Sequence, residues 1–170
     1  MIHACRFEVL AADHDRRAFS CGVEELDRYF QQQVTQDIRR RVTSCFVAIA
    51  AGAVIAGYYT LASGSIPITE LPPEIAKRLP RYPTLPAVRI GRLAVDATFR
   101  GQGYGRLLLW DATARALHAE QANFTLLVDA KDDAAVAFYL HYGFVPFATA
   151  PRVLFLPLAT AAKIIGPTES

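Results

Sequence analysis

Residues 91–112, GRLAVDATFRGQGYGRLLLWDA, constrain this chain more than any other stretch. An aliphatic run leads into a glycine-rich turn, and the turn leads into a helical pattern. Arg100, Gly101, Gln102, Gly103, Tyr104 and Gly105 form the turn at the helix N-terminus. Glycines let the backbone bend so that several N–H groups converge, and the unpaired amides of a first helical turn add the positive end of the helix. Such a place suits phosphate oxygens, and a tight left-handed connection without a ligand is the alternative that spacing leaves open. The residue three after Gly103 is Arg106, so the dinucleotide fingerprint G-x-G-x-x-G is absent, as is the Gly-Lys-Ser/Thr of a P-loop.

The rest of the chain supplies a sheet for this unit to join. Residues 7–10 read as a first strand. In VEELDRYFQQQVTQDIRRRV, Leu26, Tyr29, Phe30, Val34 and Ile38 recur at helical spacing, as one long helix or two short ones joined near Thr35. Residues 44–50 and 54–63 are β-rich runs joined by Ala51-Gly52-Ala53, which predicts a hairpin. Residues 64–87 hold six of the ten prolines and read as an irregular excursion, with one helical turn around 74–79. Residues 88–95 form the next strand and 105–121 the next helix, with Leu107, Trp110, Ala114 and Leu117 as its sheet-facing stripe. A strand at 125–128 follows, then a helix capped by Asp132 or Asp133 and ended by Gly143, then strands at 144–147 and 152–156. Hairpins first and strand–helix alternation later give a mixed α/β sheet with helices on both faces.

Composition narrows the function classes. At 170 residues, 52% of them hydrophobic and 20% charged, the chain fits one globular domain, 1–170. No apolar run approaches the ~18 residues of a membrane span, and MIHACRFEVL lacks a signal-peptide layout. Three cysteines, Cys5, Cys21 and Cys45, with no C-x-x-C pair, argue against a disulfide framework or zinc site and for a cytoplasmic protein without a metal. A net charge of +2 does not mark a bulk nucleic-acid binder. Of the 18 basic residues only three are lysine, leaving 15 arginines, whose planar forks suit phosphate, although a GC-rich genome produces the same bias.

Taken with its flanks, the turn becomes specific. Leu93-Ala94-Val95 followed by Arg100-x-x-Gly103-x-Gly105 resembles motif A of the Gcn5-related N-acetyltransferases (GNAT). The resemblance implies acetyl-CoA as cofactor, its pyrophosphate held by the turn from Arg100 to Arg106. It implies a bulged strand over Leu93, Ala94 and Val95 that pairs with pantetheine, the backbone N–H of Val95 or its neighbour meeting the thioester oxygen. Ala97 stands where many members have proline. Asp129-Ala-Lys-Asp-Asp-Ala-Ala-Val-Ala-Phe-Tyr139, then Tyr142-Gly143-Phe144, resembles motif B of the same family. That match makes Tyr139 the acid for the departing thiolate and places Asp129, Ala134 and Phe138 with the cofactor. By their own chemistry Phe138 and Tyr142 read as packing aromatics, with Tyr139 about 100° away from Phe138 around the helix. The family fold is a mixed, mostly antiparallel twisted sheet with helices on both faces and a cofactor cleft between two splayed strands.

Thioester aminolysis needs a neutral amine, an oxyanion stabiliser and a proton for sulfur. A phenol with an ordinary pKa of about 10 supplies the proton at neutral pH. No carboxylate or histidine stands out as a general base, which favours an α-amine of pKa about 8 over a lysine side chain near 10.4. CGVEELDRYFQQQVTQDIRRRVTSCFVA, GYYTLASGSI, LPRYPTLPAVRIGRLAVD and VDAKDD are similar to the subgroup of GNAT enzymes that act as toxins of type II toxin–antitoxin modules. The similarity implies an aminoacyl-tRNA substrate acetylated on its α-amine, a homodimer, and a ribbon-helix-helix antitoxin that carries any DNA contact. Arg39, Arg40, Arg78, Arg81, Arg89 and Arg92 are candidate tRNA contacts. Arg39, Arg40 and Arg41 point in three directions around a helix, so at most two face one partner. Arg89 and Arg92 lie on opposite sheet faces unless a bulge intervenes. A solvated basic surface is the competing reading. A GNAT enzyme for a small amine or a protein N-terminus, and a non-catalytic interaction module, are the alternatives.

Overall fold

A computed structural model describes residues 5–165; the tail 167–170 lies outside them. The chain forms two compact units, one of residues 1–62 and 91–112, the other of 63–90 and 113–170. Two long strands, β3 (Val54–Pro67) and β4 (Thr84–Val95), contribute to both.

In the first unit the strand order is β1 (Arg6–Val9), β2 (Ser44–Ala50), β3, β4. β1–β2 and β2–β3 are antiparallel, and the β2–β3 register shifts at Ala48/Ile49. Residues 24–39 are one continuous helical run, α1 (Glu24–Arg28), a π-helical segment (Tyr29–Gln33) and α2 (Val34–Arg39). The chain therefore accommodates the run with a widened turn instead of a break at Thr35. Phe30, Val34, Val47, Ile49 and Tyr58 form the core on this face, where Phe30 stacks on Tyr58 at 4.2 Å. Tyr59, the next residue of β3, faces the other way and donates to Asp111 of α4 (Tyr104–Leu117), so helices cover both faces.

The buried side of α4 is Tyr104, Leu108, Leu109, Ala112, Thr113 and Ala116, not the stripe expected through Trp110, which is 43% exposed. Four consecutive apolar residues, Leu107 to Trp110, leave the phase of the helix open in sequence. The phase is settled by contact: Leu108 lies against Gly57, and the Arg106 guanidinium covers the outward Trp110 ring at 4.8 Å.

The second unit continues β3 and β4 with β5 (Thr125–Asp129), β7 (Val153–Pro157) and β6 (Val145–Pro146) in that order. β4 and β5 are parallel over Ala87–Ile90 and Thr125–Val128, and their ladder stops there although β4 runs on to Val95. The proline-rich stretch is shorter than expected, because β3 persists to Pro67 and β4 starts at Thr84. Between them lie a 3₁₀ turn and α3 (Pro73–Ala76), closed over Ile66, Leu71, Leu85, Ala87, Leu127 and Phe155. Pro67 ends β3, and Pro86 lies just before the β4–β5 ladder begins at Ala87. Asp132 caps α5 (Asp133–His141), accepting from the Ala135 amide at 2.8 Å, and Gly143 at φ 91° turns the chain out. A C-terminal helix, α6 (Leu158–Ile165), was not legible in sequence.

Candidate active site

In the first unit β4 delivers the chain into the glycine turn. Asp96, only 8% exposed, accepts from the Ser20 amide (3.0 Å) and the Thr98 amide (2.9 Å), capping the 3₁₀ turn Ala97–Phe99. The Asp96 amide donates to the Ala56 carbonyl at 2.8 Å, and the Ala97 amide to the Ser20 carbonyl at 2.8 Å. Gly57 permits β3 to approach here, since a Cβ on it would lie 2.8 Å from the Ala94 carbonyl oxygen and from Leu108 Cδ1. Sequence reasoning missed both residues; Asp96 follows Val95 directly and Gly57 opens GYYTLASGSI, but neither spacing nor type announces its partner.

Within the turn, Gly101 and Gly103 take φ of 73° and 85°, values that L side chains avoid. A Cβ on either would meet no protein atom within 4 Å, so the requirement is conformational and the backbone stays open to approach. The first-turn amides of the 14-residue helix α4 follow at once. This cradle fits a pyrophosphate. Gly105 lies inside the helix. The Tyr104 ring packs inward on Phe99 at 5.3 Å and is 3% exposed, so Tyr104 can offer a ligand only its backbone. Gln102 donates to the Thr98 carbonyl at 3.4 Å, and Arg100 donates to the Cys21 carbonyl, tying the turn to the loop at Gly22. Leu93 and Val95 are half-buried and Ala94 is buried.

In the second unit α5 carries Tyr139. The burial expected of the two aromatics is reversed: Tyr139 is 8% exposed against Phe144 (5.1 Å), whereas Phe138 is half-buried beside Tyr142 (5.1 Å). Burial pushes the Tyr139 phenol up to about 12. Among the described residues nothing hydrogen-bonds its hydroxyl, yet no fully buried side-chain polar atom lacks a partner. The ring is packed on Phe144, and its hydroxyl is not fully buried. Asp129 is ion-paired to Arg89, and Ala134 is exposed on the first turn of α5.

The arginines divide into two groups. Arg39, Arg40, Arg78 and Arg81 are exposed. Arg40 caps α2 and Arg41 has φ 62°, so these two leave the helix instead of continuing around it. Arg89 belongs to its pair with Asp129, and the Arg92 guanidinium lies over the Tyr29 ring at 3.4 Å. Buried positions in β4 alternate through Leu85 and Ala87, then resume at Ile90 and Ala94. Among the described residues no group of His, Cys, Asp and Glu is arranged to hold a metal, and no helix is long and apolar enough to cross a membrane.

The glycine turn after β4 and the mixed sheet are features of an acetyltransferase. The model of the acetyltransferase (GNAT) family matches residues 9–144, and the chain belongs to that family as an N-acetyltransferase that uses acetyl-CoA. Among its relatives, a tRNA-acetylating toxin of Mycobacterium tuberculosis is 34% identical over 154 residues, covering 89% of this chain and 91% of that protein. The solved structure of AtaT complexed with acetyl-methionyl-tRNAfMet superposes with a TM-score of 0.88 at 27% identity, over 96% of this chain and all of that one. A tyrosine-to-phenylalanine mutant of the AtaT toxin bound to the C-terminus of the antitoxin AtaR gives 0.80 at 25% identity, over 96% and 99%.

Proposed function

We propose that this protein is a toxin that acetylates the α-amine of the amino acid on charged tRNA and so blocks translation. The observation that carries the reading is the similarity to the tRNA-acetylating toxin over 89% of this chain and 91% of that protein. The exposed arginines Arg39, Arg40, Arg78 and Arg81 supply phosphate contacts of the kind such a substrate needs. By the same likeness the protein works in the cytoplasm as a homodimer and is held inactive by a ribbon-helix-helix antitoxin, through which any DNA contact is made.

Acetyl-CoA supplies an activated acetyl group. The glycine turn from Arg100 to Arg106 would hold the pyrophosphate through its amides, and the Val95 amide would serve the thioester oxygen, where an oxyanion-hole N–H is worth about 3–4 kcal/mol. The neutral amine attacks the carbonyl carbon, the C–N bond forms and the C–S bond breaks. Tyr139 gives its hydroxyl proton to sulfur and recovers from solvent the proton that the amine releases. An α-amine of pKa about 8 is neutral often enough to need no dedicated base.

The test is transfer of labelled acetyl from acetyl-CoA to bulk aminoacylated tRNA, with deacylated tRNA and free amino acids alongside. Label on charged tRNA alone supports the reading. Label on free amino acids or peptides assigns a small-amine or N-terminal acetyltransferase, and failure to bind acetyl-CoA would indicate a non-catalytic module.

A further inference from the structure

Arg92 is held at both ends, by its backbone and by an aromatic ring. Its backbone amide donates to the Thr60 hydroxyl at 3.0 Å, which anchors it on β4 three residues before Val95. Its guanidinium lies flat against the Tyr29 ring, 3.4 Å from the centroid. Tyr29 is itself fixed: it is 3% exposed, it begins the π-helical segment, and its hydroxyl donates to Asp37 at 2.8 Å. The neighbouring Phe30 is locked by its stack on Tyr58, whose hydroxyl donates to the Leu26 carbonyl at 2.7 Å. A π segment inside an α-helix is a costly irregularity that recurs at functional sites, and here it sets the ring under the guanidinium.

Stacking occupies one face of the fork and none of its donors. Among the described residues no carboxylate or carbonyl accepts from Arg92, while Arg16 binds the Phe30 carbonyl, Arg17 binds Asp15, Arg28 binds Glu24 and Arg100 binds the Cys21 carbonyl. Since no fully buried side-chain nitrogen in the described residues lacks a partner, the Arg92 donors reach the surface. A half-buried, ring-oriented guanidinium with free in-plane donors is built for a bidentate oxyanion.

We infer that Tyr29 and Asp37 are positioning residues that aim Arg92 at the phosphodiester nearest the acetylated amino acid, making that phosphate a specificity determinant. This rests on the charged-tRNA reading. An aminoacyl ester has no carboxylate of its own, so the anion a fork on this strand can meet is the internucleotide phosphate next to the terminal adenosine. A free amino acid offers a carboxylate instead, but its amine and carboxylate are bonded to the same carbon, too close to serve both the reacting end and a residue set back by three positions, about 10 Å along a strand.

The experiment compares two minimal acceptors that carry the amino acid the wild type acetylates fastest on tRNA: its ester with adenosine, which has no phosphate, and its ester with cytidylyl-adenosine, which has one internal phosphate. The expected wild-type kcat/KM is at least about tenfold higher for the dinucleotide, as a charge-assisted contact of about 1.5–3 kcal/mol dictates. Arg92→Gln brings the ratio to within about twofold of unity. Arg92→Lys restores it only in part, because an ammonium lacks the planar fork. Tyr29→Leu collapses the ratio with Arg92 in place, Tyr29→Phe keeps it through the ring face, and Asp37→Asn lowers it without removing the ring. Acetyl-CoA affinity and melting temperature are recorded for each variant, so that a misfolded Tyr29→Leu is recognised and Asp37→Asn decides. A wild type that acetylates charged tRNA but treats the two esters alike overturns this inference alone, as does a ratio that survives both Arg92→Gln and Asp37→Asn. A wild type that leaves charged tRNA untouched overturns the reading beneath it.

Discussion

Gly57→Ala isolates the approach of β3 to β4. The new Cβ would lie 2.8 Å from the Ala94 carbonyl oxygen, 2.8 Å from Leu108 Cδ1 and 3.6 Å from Val95 Cα. The carbonyl belongs to the strand and yields only with the backbone, whereas Leu108 is fully buried and yields only by repacking its neighbours. Overpacking of this kind costs about 1–3 kcal/mol. Replacing glycine restricts the unfolded chain and returns about 0.4–1 kcal/mol, leaving a net loss of up to about 2.6 kcal/mol, centred near 1.3. For a chain of this length that lowers the melting temperature by up to roughly 10 °C, with about 3–5 °C at the centre. The displaced strand also moves the Val95 amide, and misplacement of the order of 1 Å can cost up to about 100-fold in rate. Differential scanning calorimetry and steady-state kinetics read the two effects. A variant as stable as the wild type, with kcat/KM within about twofold, would refute both the contact and its link to Val95.

Other perturbations separate the parts of the site. Gly103→Asp meets no protein atom, so its structural cost is the left-handed backbone, about 1–2 kcal/mol, and its main effect is a carboxylate facing the pyrophosphate. Calorimetric titration should show acetyl-CoA affinity reduced at least about tenfold, and unchanged affinity would show the turn misassigned. Tyr139→Phe should lower kcat by about 10²–10⁴ with acetyl-CoA affinity within about twofold, and an unchanged kcat would remove the acid. Because burial raises the Tyr139 phenol to about 12, its protonated form persists beyond the ordinary range near 10. The rate should therefore climb as the amine deprotonates near pH 8 and then stay level to about pH 10. A falling limb in that window that vanishes in Tyr139→Phe would contradict the assignment. The same raised value means that burial of this phenol favours the folded state fully below about pH 10 and loses that contribution as pH rises towards 12. Asp96→Ala strands the Ser20 and Thr98 amides and should cost about 2–4 kcal/mol by denaturant titration, whereas a cost under about 0.5 kcal/mol would show that the loop holds without it.

Backbone demands written as residue types were readable in the sequence. Gly101 and Gly103 stand where φ is positive, Asp132 where α5 needs a cap, and Gly143 where it ends. Features that depend on a distant partner were not readable. The inward face of α4 could not be chosen from four consecutive apolar residues, because Gly57 on another strand decides which leucine enters. The π segment has no signature in YFQQQ; it follows from the packing of Phe30 on Tyr58 and the hold of Asp37 on Tyr29. The prolines of 64–87 suggested a long irregular excursion, since their type does not tell a strand end from a loop. Asp96 looked like the last letter of a strand motif, and its two amide partners lie two and 76 positions away.

The measurement that bears most directly on the central claim is the chemical position of the transferred acetyl group. Charged tRNA is treated with the protein and acetyl-CoA, digested with nuclease, and the terminal adenosine esters are sequenced by mass fragmentation. The account predicts acetyl on the α-nitrogen of the esterified amino acid. Acetyl on a base, a ribose hydroxyl or a released free amino acid would contradict it.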